Sequence, residues 1–111
     1  MHIGFILTKT PAEEGYNTFL KFLNFHVGKD DISIYLIGNG VYGFRNEHPK
    51  AEFLMNMLKD SEQFSKVCAN FDDIQARGID VNDLIDGVRP FYDYDEMVFD
   101  IMENLDQVLS F

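Results

Sequence analysis

A chain of 111 residues, 46% of them hydrophobic, suits one compact domain over residues 1–111 that buries roughly two-thirds of its unfolded surface. Nine Lys and Arg against nineteen Asp and Glu leave a formal net charge of −10 with no obvious segregation, a field that repels phosphate backbones and anionic headgroups. Direct nucleic-acid or membrane contact is therefore not expected, no run approaches the ~20 apolar residues of a membrane span, and the apolar start is too short for a signal-peptide core, so a cytoplasmic protein is the expectation.

Met1 to Leu7 is a continuous apolar run, the pattern of a strand buried on both faces. Thr10, Pro11 and Glu13 together supply a cap, a pre-set φ and a carboxylate to reach back, which predicts a helix starting there. Tyr16, Phe19, Leu20 and Leu23 follow at helical spacing, and Gly28 ends the helix. Ile32 to Ile37 predicts a second buried strand closed by the glycine-bearing turn GNGVYGF. Pro49 starts a second helix, with Phe53, Leu54, Met57 and Leu58 on one face.

Phe64 to Ala69 predicts a short third strand, Asp72 to Arg77 a short helix closed by Gly78, and Asp80 to Asp86 a helical turn closed by Gly87. Val88 to Tyr92 forms a fourth strand. Asp93 with Glu96 makes a capping box before the stripe Met97, Val98, Ile101 and Leu105, and Val108 to Phe111 adds a last strand. This alternation implies an α/β fold: an open, mainly parallel sheet of about five strands with helices on both faces, like a small flavodoxin.

In such a sheet, ligands collect beyond the carboxyl ends of the strands. Those ends bear Thr8-Lys9-Thr10, Gly38-Asn39-Gly40, Cys68-Ala69-Asn70 and Phe91-Tyr92. Cys68 is the one cysteine, so it has no internal disulfide partner, and no Cys/His spacing fits a structural zinc. A thiol just before a helix start gains from the positive end of the helix, which favours the thiolate, whereas Asp72 and Asp73 oppose it. A buried cysteine that merely fills space is the competing expectation. Gly38, Gly40 and Gly43 match G-x-G-x-x-G, but after the second strand rather than the first, so a tight turn explains them better than a nucleotide site. His2, His26 and His48 are scattered and suggest no metal, and the acidic clusters suit helix starts and a solvated face. The Phe and Met stripes are core, with some left for an oligomer surface.

The order of ISIYLIGNGVYGF, VCANFDDIQARGI, DLIDGV and QVLSF resembles the DsrE/DsrF-like family, which includes the Tus sulfur-relay proteins. Its anchors are Cys68 followed by Arg77-Gly78-Ile79, the turn Gly38-Asn39-Gly40-Val41, and Asp106 to Phe111. The resemblance implies homo- or hetero-oligomers such as trimers or hexamers and a persulfide that Cys68 receives from a donor protein and passes to an acceptor protein, as a sulfurtransferase would; no cofactor is expected. Backbone amides of Ala69, Asn70 and Phe71, with Lys9, Asn39 and Gly40, are the expected supporting groups. The alternative is a non-catalytic oligomeric subunit of the same fold.

Overall fold

The computed structural model describes all residues, Met1–Phe111. Five strands form one sheet: β1 (His2–Leu7), β2 (Asp31–Leu36), β3 (Ser65–Asn70), β4 (Val88–Phe91) and β5 (Gln107–Ser110), in the order β4-β3-β2-β1-β5. Every pairing is parallel, so each connection must be a crossover. Helices α1 (Glu14–His26), α2 (Pro49–Asp60), α3 (Phe71–Ala76) and α4 (Tyr94–Glu103) supply them.

Strands β1 to β4 march in one direction across the sheet, and right-handed crossovers put α1, α2 and α3 on the same face. The chain then returns from β4 past β1 to β5, which reverses direction and carries α4 to the other face. The two faces are consequently covered unequally. A 23-residue core lies on the three-helix side, built from Phe5, Ile34 and Val67 of the strands against Phe19, Leu23 and Leu58 of the helices. The α4 side holds only Tyr35, Cys68, Phe91 and Met97, with Ile6, Ile37 and Ile101 half-buried around them.

Several local expectations shift. Helix α1 starts at Glu14, not near Thr10: Glu13 does reach back to the Thr10 amide (3.0 Å), but this bond closes a turn ahead of the helix, and Glu13 itself is the cap. The Gly38-to-Phe44 turn is a short 3₁₀ helix whose Gly40 lies against the end of β1, where a Cβ would stand 1.8 Å from the Leu7 carbonyl oxygen. Absence of a side chain is what permits this approach. Phe53 and Val98, assigned to core stripes, are exposed, because the helices present their leucines and methionines inward instead.

Candidate functional site

Cys68 lies in the interior of β3, paired with Tyr35 of β2 and Arg89 of β4. Side chains alternate across a strand, so Ala69 points into the main core while Cys68 faces α4. The same alternation brings Lys66 and Cys68 onto one face, two residues apart. With Arg89, Tyr35 and Phe91 they form the floor of a groove of about 570 Å³. Its wall is α4, through Asp95, Glu96, Phe99, Asp100 and Asn104.

One ion-pair network fastens that wall to the floor. The Asp100 carboxylate, 5% exposed, accepts hydrogen bonds from the Tyr35 hydroxyl at 2.5 Å, Lys66 Nζ at 2.8 Å and Asn104 Nδ2 at 2.7 Å. Burial alone would raise its pKa; the three donors and the Lys66 charge outweigh burial and hold it below the usual carboxylate range. Tyr35 responds in the opposite sense, pushed up by burial and by the neighbouring carboxylate. Lys66 is thus consumed by Asp100. Arg89 is exposed and makes no ion pair, which leaves it as the free cation of the groove.

The thiol itself is 6% exposed. Burial pushes its pKa up, Arg89 and Lys66 pull it back in part, and Asp100 adds to the rise. The acid expected to oppose the thiolate, the Asp72-Asp73 pair, is not what does so. Helix α3 begins three residues beyond Cys68 and points its first turn elsewhere: Asn70 caps the Asp73 amide at 3.0 Å, and Asp73 accepts from the Gly38 amide at 2.8 Å and from the Tyr94 hydroxyl.

The other expected supporting residues are spread along the carboxyl edge of the sheet, outside the groove. Asn39 accepts from Arg77 Nε at 3.0 Å. Gly40 seals the end of β1, Lys9 lies along Gly15 at the start of α1, and Phe71 packs on Tyr92 with ring centroids 5.0 Å apart. Ala69 and Asn70 belong to β3, the first in the core and the second a buried cap. The turn after β2 lies against the end of β1 and is bonded by Asp73 and Arg77, whereas Cys68 opens sideways onto a sheet face. Lys66, Arg89, Tyr35 and Asp100 were missed by sequence reasoning. Lys66 was legible from strand alternation, and Asp100 from its place in the Met97–Ile101 stripe.

Comparison with protein families matches residues 11–107 to the DsrH-like proteins. The chain belongs to the DsrH-like family. This DsrH-like chain therefore falls within the sulfur-relay group that its motifs resemble. Among solved structures it is similar to the YchN protein from E. coli, with a TM-score of 0.77, 20% identity and coverage of 100% of this chain and 99% of that one. It is likewise similar to MTH1491 from Methanobacterium thermoautotrophicum, a protein of unknown function, with a TM-score of 0.71, 17% identity and coverage of 98% and 97%. At these identities the likeness establishes the shared α/β fold. None of the curated proteins matches the sequence. No helix is long and apolar enough to cross a membrane.

Proposed function

We propose that this DsrH-like protein is a cytoplasmic sulfur carrier, acting through 1–111 as one domain within an oligomer, and that its working site is the groove at Cys68. The observation that supports this is the placement of the one cysteine on the floor of a groove beside the unpaired cation Arg89, with Lys66 paired to Asp100 on the same floor. A donor protein's persulfide supplies the sulfane sulfur. Cys68 loses its proton to solvent and its thiolate attacks the terminal sulfur; the donor's S–S bond breaks, the electron pair leaves with the donor thiolate, and Cys68 becomes the persulfide. An acceptor protein's thiolate then attacks that terminal sulfur, and Cys68 leaves as thiolate. Arg89 faces the negative charge that each step creates.

Burial gives the competing reading its support: a thiol 6% exposed with a raised pKa suits a subunit that contributes surface rather than chemistry. Intact mass spectrometry separates the two. Wild type and Cys68→Ser are exposed to glutathione persulfide, with native alkylation of Cys68 measured alongside. Gain of one sulfur atom by wild type alone supports the carrier. No gain, together with a thiol that alkylates only after unfolding, overturns it in favour of the interaction subunit.

A further inference from the structure

The charge of this chain is segregated after all, and it is segregated onto the helix that walls the groove. Residues 90–111 hold six carboxylates, Asp93, Asp95, Glu96, Asp100, Glu103 and Asp106, and no Lys, Arg or His. The same stretch carries Tyr92, Tyr94, Val98, Phe99 and Met102, five of the ten large hydrophobic residues exposed in the whole molecule. Their spacing is orderly. Tyr94, Val98 and Met102 recur every four residues along one flank of α4, whose buried side is Met97 and Asp100, and Phe99 stands on the opposite flank above the groove.

An apolar outer flank, rimmed by charged residues, is the character of an interaction surface. Here α4 is also the sole helix on its face of a five-stranded sheet, so its flanks have no neighbouring helix to bury them. We infer that the outer surface of α4 is a docking site for a partner protein that presents an apolar patch rimmed by Lys and Arg. Asp93, Asp95, Glu96 and Glu103 form the acidic rim that such a partner neutralises. Phosphate-bearing partners are repelled by the same rim.

A second copy fits this surface poorly. A two-fold contact would set α4 against α4 and acid against acid. The exposed Lys21, Lys29 and Lys50, with Phe22, Phe25 and Phe53, do offer the complementary character, but they belong to α1, α2 and the turn after α1, across the sheet from α4. A contact between opposite faces is heterologous and closes only where the subunit rotation completes a ring, so self-association is the competing outcome that sedimentation separates. Because Asp95 and Glu96 belong both to the rim and to the groove, and the exposed Phe99 lines the groove between them and Asn104, the docked partner sits at the mouth over Cys68. The inference stands whether or not Cys68 carries sulfur.

The test uses the full chain and a fluorescent amphipathic helical peptide with Leu and Phe on one face and Lys on both flanks, beside the same peptide with Glu in place of Lys. The Lys peptide is expected to bind wild type with an affinity that falls as salt rises. Binding should weaken about tenfold in Glu103→Lys and in Met102→Ser, and remain unchanged in Glu62→Lys, a charge change outside this segment. The Glu peptide should not bind. Equal binding to wild type and to both α4 variants, or no binding of the Lys peptide at all, overturns the inference. So does concentration-dependent self-association by sedimentation that Met102→Asp abolishes, since that would make the occupant a second copy.

Discussion

Replacing Asp100 by Asn keeps the shape of the side chain and removes the charge that ties α4 to the sheet. The wild-type carboxylate accepts three hydrogen bonds, two of them from Tyr35, 3% exposed, and from Lys66, whose side chain is 20% exposed. An amide keeps one acceptor oxygen and turns its nitrogen toward a donor. A hydrogen bond to a charged group contributes about 1.5–3 kcal/mol, while the cost of stranding Lys66 is moderated by its partial access to water. The expected loss is about 2 kcal/mol, or roughly 8 °C in Tm for a domain of this size. Urea unfolding at neutral pH measures it. The native carboxylate binds its proton at lower pH than the unfolded one, so the stabilisation is complete above the ordinary Asp pKa and drains as pH falls through the depressed native value. Wild type and Asp100→Asn should accordingly converge in acid. A loss under about 0.5 kcal/mol, or a difference that does not shrink in acid, would refute the claim that this network holds α4 in place.

Alkylation of native Cys68 should be slow at neutral pH and climb at pH values above those of a free thiol, because burial favours the protonated form. Arg89→Gln should slow it further at a given pH by removing a cation, and Asp100→Asn should speed it; reversal of either order in a stopped-flow labelling series would count against the groove electrostatics. Gly40→Ala should cost at least about 3 kcal/mol in urea unfolding, since the added carbon meets the Leu7 backbone. Gly4→Ala should cost about 1 kcal/mol, because its added carbon meets the tip of the Leu105 side chain, which can turn aside. Equal costs at the two glycines would be inconsistent with the close approach that places the Gly38–Phe44 turn.

Sequence by itself determined the five strands, the buried stripe Tyr16, Phe19, Leu20 and Leu23, the start of α2 at Pro49 and the parallel α/β class, because periodicity and capping are local and repeat along the chain. The resemblance to the sulfur-relay group was also legible, being a matter of motif order. The surroundings of Cys68 were not. Its partners Tyr35, Arg89 and Asp100 come from β2, β4 and α4, up to 33 residues away, and only strand register sets them opposite the thiol. Nor could composition show that the Gly38–Phe44 turn lies against the end of β1, since that depends on Gly40 reaching the β1 backbone. The uneven cover of the sheet is tertiary as well: one reversal of crossover direction after β4 leaves α4 alone on its face, and that solitude exposes the acidic, apolar flank whose residues were legible but whose setting was not.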